Sequence, residues 1–246
     1  MYRFFVEPSQ IGEKKITIIG SDVNHIKNVL RMKCGEKIAI SDGQEQEYYC
    51  IIEKLEDEQI IATIEEIAMD RKELPVRITL FQGIPKSDKL ELIIQKAVEL
   101  GVCEIVPVAM KRSVAKIDSK KVDKKVERFN AIALSAAKQA KRNVIPTVTM
   151  PMSWKEAVAY GKTMDACLVP YEDARGMAHT KEVIRNLHGV KSIALYIGPE
   201  GGFDDDEITQ AKEEGFQVIT LGKRILRTET AGLAALSIFM YELEED

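Results

Sequence analysis

No stretch of the 246-residue chain is apolar for long enough to cross a membrane, and the run from Met1 to Pro8 is too short for a secretory signal. A cytoplasmic protein with no membrane partner is therefore expected. Histidine is scarce, with three in all, and Cys34, Cys50, Cys103 and Cys167 stand far apart, with no CxxC pair and no histidine cluster beside them. Zinc and redox chemistry have little to work with, so no metal is expected and the four thiols should be reduced and mostly buried. His179 reads as preceding a helix. Low-complexity tracts are missing, and 45% hydrophobic residues suffice for a real core. Neither a P-loop nor a GxGxxG pattern occurs.

An overall excess of positive charge is also lacking, since the net charge is −4, which argues against a protein basic throughout. The sign is unevenly spread, however. Between Lys111 and Arg142 there are 11 Lys or Arg against 3 Asp or Glu, a local +8 that leaves −12 for the rest. A basic stripe on an acidic body is compatible with docking a polyanion on one face.

The pattern of elements changes once along the chain. Residues 1–73 read as short strands, Tyr2 to Val6, Lys15 to Ile19, Lys37 to Ser41, Glu47 to Lys54 and Gln59 to Ile67, with one helix capped by Ser21 or Asp22. A small β-rich domain is the natural assembly. The charged, proline-ended connector from Asp70 to Pro75 marks a boundary, and 74–246 form the second domain. There, strands at Val76 to Gln82, Glu104 to Ala109, Ala166 to Pro170, Ile193 to Ile197 and Val218 to Leu221 alternate with helical stretches, the βα pattern of a mainly parallel sheet. A first helix runs from about Ser87 to Leu100. A basic helix from about Ser119 to Lys141 puts Val122, Val126, Phe129, Ala133, Ala136 and Ala140 on one stripe and its lysines outside. Ser153 and Glu156 form a capping box. The last helix, Ala231 to Leu243, is apolar almost all round, so it is either central or half of an oligomer interface.

Two apolar runs near the C-terminus, Ser192 to Ile197 and Gln217 to Leu221, each stop at a glycine and open into a helix. In the first loop Gly198, Gly201 and Gly202 offer bare backbone and φ above zero, and Asp204 to Glu207 cap the helix that follows. Those carboxylates would repel phosphate, so a neutral or cationic ligand is expected. The second loop puts Ile225 and Leu226 between Arg224 and Arg227 and offers Thr228 or Thr230 as helix cap. On its own, that loop reads first as an ordinary strand, turn and helix carrying solvated arginines.

Together, GPEGGF at 198–203 and LGKRILRTETA at 221–231 resemble the RsmE family of SPOUT-superfamily RNA methyltransferases. The resemblance covers the whole chain and includes the Lys111-Arg112 pair, Gln139 to Arg142, and Arg3 and Arg31 near the N-terminus. Lys223 departs from it where proline is usual, and Lys141 where a small residue is usual. It implies a PUA-like RNA-binding β-barrel domain followed by an α/β SPOUT domain with a C-terminal trefoil knot, a homodimer, and S-adenosylmethionine-dependent methylation of uridine N3 in 16S ribosomal RNA or the small ribosomal subunit. The donor site is then expected at Val169, Ile197, Gly198, Pro199 and Gly202, and at Leu221, Gly222, Ile225, Leu226 and Thr230. Methylating an imide nitrogen requires loss of its proton and spreads charge onto the flanking carbonyls. Arg227 or Arg112 would stabilise that charge, and Glu200 or Glu229 would accept the proton. Arg3, Arg31, Lys86, Arg112, Lys138 and Arg142 are the candidate RNA contacts. Two rivals remain open: a SPOUT enzyme acting on ribose or another RNA position, and a non-catalytic RNA-binding assembly factor.

Overall fold

The structure is a computed structural model and describes residues 1–44, 46–68, 73–86, 88–115, 120–172 and 176–244. The connector at 70–72, Ser87 and Ser119 lie outside the described residues. Contacts divide the chain into two units, Met1–Glu73 with Ala137–Ile145, and Leu74–Ala136 with Pro146–Asp246. Unit 1 thus contains a later segment that the sequence reading assigned to the second domain.

In unit 1, β1 (Tyr2–Phe5), β2 (Lys15–Ile19), β3 (Lys37–Ser41), β4 (Glu47–Leu55) and β5 (Gln59–Ile67) form one sheet in the order β1-β3-β4-β5-β2. All neighbours are antiparallel except β1 and β3. Alternation sends Ile16, Ile18, Ile38, Ile40, Cys50, Ile52, Ile60 and Ala62 into a common core. The helix α1 (Ser21–Asn24) is not capped by Ser21 or Asp22. Its N-cap is Gly20 at φ 75, a left-handed conformation that glycine adopts without penalty. It continues as a wider turn, His25–Val29, and ends near Arg31 at φ 53.

Residues 137–145 are stitched onto this sheet. The Ser41 hydroxyl donates to the Asn143 carbonyl at 2.8 Å, and Gln44 pairs with Val144 as an isolated bridge. Cys34 is exposed, against expectation, and Cys50 is sealed. Cys34 sits in the turn before β3, where the chain faces solvent on leaving the core.

Unit 2 is built on a parallel sheet. Its strands are β6 (Arg77–Gly83), β7 (Glu104–Ala109), β8 (Thr147–Val148), β9 (Met152–Ser153), β10 (Ala166–Pro170), β11 (Ser192–Ile197) and β12 (Gln217–Ile219). The order is β12-β10-β11-β6-β7-β8, with β9 beside β7. The helices are α2 (Lys89–Glu99), α3 (Val122–Gln139, whose last residues fall in unit 1), α4 (Trp154–Gly161), α5 (Met177–Arg185), α6 (Asp205–Glu213) and α7 (Thr228–Leu243). The central strands β6 and β11 are buried along nearly their whole length rather than at alternate residues, as expected of a parallel sheet covered on both faces. His179 lies within α5 instead of before it.

An aromatic cluster fixes the middle of the sheet. Phe81 of β6 stacks on Tyr196 of β11 at 4.4 Å, and Trp154 of α4 meets both Tyr196 and Phe203 edge-on. Phe203 closes the first glycine loop, so that loop is anchored in the core at its far end. After β11 the chain skips over β10 to form β12 on the sheet's edge, and α7 then returns to pack on α2, α5 and β11. Thr228, Gly232, Ala235, Leu236, Phe239 and Leu243 are its buried side.

Candidate active site

Parallel strands deliver their carboxyl ends to one edge, and ligands sit where such ends diverge. Here β10, β11 and β12 are neighbours in register, with Val169 beside Val218, Pro170 beside Ile219 and Leu168 beside Leu195. The loops that leave them, 170–172, 197–203 and 220–228, enclose a cavity of about 670 Å³, with Lys89, Arg112 and Ala231 completing the wall. Of the residues expected around a donor, Ile197, Gly198, Pro199, Gly202, Leu221, Gly222, Ile225 and Leu226 line it.

Val169 and Thr230 do not. Val169 is wholly buried in the core beneath the cavity floor, because its strand position points it at the helix layer. Thr230 faces solvent, and Thr228 takes the position on the wall. Two residues along a helix are about 200° apart, so only one of the pair can face the cavity. Neither threonine is the helix cap: that position is Arg227.

The glycines act in two ways. Gly202 at φ 71 and Gly222 at φ 115 hold left-handed backbone that an L side chain resists. Gly83, at the end of β6, instead permits close approach: a Cβ there would lie 2.6 Å from the Pro199 nitrogen. A buried relay joins the loops at this point. The Gln82 amide donates to Thr228 Oγ1 at 2.8 Å, and the Thr228 hydroxyl donates to the Gly198 carbonyl at 2.6 Å. Sequence gave no sign of the relay, because its members come together only through the fold of the sheet.

The charged groups fall into two sets. At the head of α6, the Asp204 carboxylate caps Asp206 N–H, and Glu207 returns a bond to Asp204 N–H. Lys111 Nζ reaches Asp204 at 2.7 Å and Asp206 at 3.0 Å, and Arg112 lies 3.4 Å from Asp204 and 3.6 Å from Asp205. The Lys111 ammonium is the largest influence holding the Asp204 carboxyl below the usual carboxylate range, and the Lys111 amine is raised in turn.

The second set meets at Lys89, whose Nζ is 3.3 Å from both Glu200 Oε1 and Glu229 Oε2. Burial alone would raise the Glu200 carboxyl, but N–H groups of Lys86 and of Glu200 itself, with the Lys89 ammonium, outweigh it and hold the group low. Arg227, Arg112 and Glu200 line the cavity, while Glu229 stands behind the wall and is joined to it through Lys89. Lys223, Arg224, Ile225 and Arg227 form an exposed arm.

The candidate RNA contacts are scattered. Lys86 and Arg31 are exposed, and the Arg112 side chain is 43% exposed. Arg3 and Arg142 are instead sealed inside unit 1, with side chains 6% and 5% exposed. Arg3 pairs with Glu47 and donates to the carbonyls of Lys141 and Arg142 and to Asn143 Oδ1, and Arg142 forks onto Glu73. Lys138 pairs with Asp22 at 3.0 Å. Arg3 and Arg142 are committed to the fold, since a sealed guanidinium facing fixed acceptors cannot turn to a phosphate, whereas the Lys138 side chain is 31% exposed beside its Asp22 partner.

Among the described residues, no group of three His, Cys, Asp or Glu could hold a metal, and no helix is long and apolar enough to cross a membrane.

Residues 72–240 match the RNA methyltransferase domain family, and 18–65 match the RNA methyltransferase PUA domain. The chain is 36% identical to the ribosomal RNA small subunit methyltransferase E of Bacillus subtilis, over 99% of this chain and 98% of that one. It is 37% identical to the enzyme of that name from Mesomycoplasma hyopneumoniae, over 96% and 98%. The crystal structure of the Neisseria gonorrhoeae ribosomal RNA small subunit methyltransferase E bound to S-adenosyl methionine superposes with a TM-score of 0.82 at 33% identity, over 96% and 95% of the two chains. The chain with these two domains and this cavity belongs to the ribosomal RNA small subunit methyltransferase E family.

Proposed function

We propose that this protein transfers a methyl group from S-adenosylmethionine to N3 of a uridine in 16S ribosomal RNA. The observation that carries the reading is the convergence of three strand-end loops on one cavity of about 670 Å³, with Arg227 at its mouth. The residues present fit the donor. The volume lies in the range of about 300–1,000 Å³ usual for small-molecule sites. Ile197, Leu221 and Leu226 offer apolar walls for a purine, and Gly202 and Gly222 leave open space where a side chain would stand. When bound, the donor supplies an electrophilic methyl on a sulfonium.

The chain's own groups position the acceptor and handle its charge. Loss of the uracil N3 proton puts negative charge on the two flanking carbonyl oxygens, and a guanidinium at Arg227 or Arg112 stabilises it without itself losing a proton. Raising the acidity of the N3 imide in this way matters here, because Glu200 is a weaker proton acceptor than a free glutamate. Glu200 or Glu229 takes the N3 proton and returns it to water after the transfer. Lys86, Arg31 and Arg112 are the proposed phosphate contacts, since they retain exposed cations.

The same reading carries three further expectations. The skip from β11 to β12 and the return of α7 support a trefoil knot in this segment. Ile238 and Tyr241, exposed on α7, support a second copy of the chain as its partner. The working compartment is the cytoplasm, where ribosomes assemble.

The deciding experiment is mass spectrometry of nucleosides from 16S ribosomal RNA of a strain lacking the gene. Loss of 3-methyluridine, restored by the cloned gene, is expected. Unchanged 3-methyluridine with loss of another modified nucleoside would transfer the protein to a different RNA position, and no heat of S-adenosylmethionine binding would make it a non-catalytic binder.

A further inference from the structure

Lys89 is the first residue of α2, and its side chain reaches the cavity wall. It draws together two carboxylates from different loops, Glu200 from the first glycine loop and Glu229 from the opening turn of α7. Glu229 Oε2 is closed off from solvent and has no well-directed hydrogen bond, so the ammonium 3.3 Å away is its counter-charge. Glu200 Oε1 also accepts from the main-chain N–H of Lys86 at 3.0 Å, which fixes the carboxylate against the wall.

Two carboxylates around a single ammonium leave this corner with a formal charge of −1. Arg112, Lys223, Arg224 and Arg227 also line the cavity, but Arg112 is drawn toward Asp204 and Asp205, and the other three lie on the exposed arm, where water screens them. Glu172, also on the wall, adds to the negative side.

We propose that the Lys89–Glu200–Glu229 cluster is the charge selector of the donor site, favouring a ligand that carries a sulfonium over the uncharged thioether left after transfer. The proposal rests on the methyl-transfer reading above. In that reaction the uracil N3 lone pair forms the new N–C bond. The C–S bond breaks with its electron pair staying on sulfur, and the N3 proton passes through a carboxylate to water. The ligand loses one positive charge, and with it the attraction of the wall, so product leaves and fresh donor replaces it. Lys89 sets the strength of the selection. Without it the wall would carry two uncompensated carboxylates, and with either carboxylate neutralised it would carry no net charge.

Calorimetry of the full chain with S-adenosylmethionine and with S-adenosylhomocysteine, at a pH of about 8 so that carboxylates are ionised, isolates the effect because the two ligands differ only at sulfur. Glu200→Gln is expected to weaken S-adenosylmethionine about tenfold while S-adenosylhomocysteine stays within about twofold, the effect of one unit charge roughly 12 Å away at an effective dielectric of about 20. Glu200→Asp keeps the charge and should keep most of the preference, which a merely structural role would not. Lys89→Met should shift the preference the opposite way, toward the sulfonium. Should Glu200→Gln fail to fold by circular dichroism, Glu229→Gln removes the same charge from the other arm and is expected to give the same loss. Equal weakening of both ligands, an unmoved ratio, or a Lys89→Met shift in the same direction as Glu200→Gln overturns the proposal. Wild-type protein that binds neither ligand would instead sink the methyl-transfer reading itself.

Discussion

The two units use the same side chains, arginine and glutamate, to opposite ends. In unit 1 the Arg3 and Arg142 guanidiniums are sealed at 6% and 5% exposure and surrounded by fixed acceptors. Around the unit 2 cavity, Arg112 keeps 43% of its side chain in solvent at ion-pair distances of 3.4 and 3.6 Å, and Arg227 is exposed. A sealed, fully matched pair holds a fold together, because neither partner can leave without stranding the other. An open, loosely matched cation can exchange its partner for a ligand. Motif membership does not separate these cases, but burial and acceptor count do.

The comparison breaks first, and most visibly, at Arg3. Arg3→Met removes the ion-pair partner of Glu47, whose side chain is fully buried, and should cost about 3–5 kcal/mol in urea unfolding. Donor affinity measured on the protein that remains folded should not change. A silent Arg3→Met would remove the distinction drawn here.

Arg227→Ala should act the other way, lowering kcat about 100-fold with donor affinity within about threefold, since its charge acts on the transition state. Equal losses in both would move Arg227 into the donor site. Gly83→Ala sharpens the contrast at the junction of the loops. Its Cβ would meet the Pro199 nitrogen at 2.6 Å, and the shift of backbone should cost about 1–3 kcal/mol, read as a fall of about tenfold or more in donor affinity by calorimetry.

The smallest effect is in pH. Glu200 has a lowered carboxyl, so its charge is present above the ordinary carboxylate range and is lost only as pH falls through the lowered value. Donor affinity should therefore stay flat from about pH 8 down to about pH 5. A midpoint near 6 would show that the Lys86 and Lys89 contacts do not control the group.

Much of this could be read in the sequence. Alternation marked the strands of unit 1 to within a residue or two, and apolar runs ending in glycine located β11 and the loop after it. Those signals are local, with periods of two or about four residues. What escaped notice depends on distance along the chain. The relay from Gln82 to Thr228 spans 146 residues, and Arg3 finds its acceptors 138 to 140 residues away. Lys89 carries no local mark of its role, since a lysine opening a helix is ordinary until the carboxylates facing it are known. Short edge strands β8 and β9, two residues each, are below the length at which alternation can be seen.

The return of 137–145 to unit 1 also bears on how the protein is made. A nascent chain leaves the ribosome from its N-terminus, and a β domain of seventy-odd residues would ordinarily close as soon as it was clear of the exit tunnel. Here the carbonyls that receive Arg3 belong to Lys141 and Arg142, so the growing chain must wait with that guanidinium held by Glu47 but short of these acceptors while about another domain's length is synthesised. A fragment ending at residue 73 should inherit the same deficit permanently and melt early, whereas supplying 137–145 as a synthetic peptide should restore part of its stability.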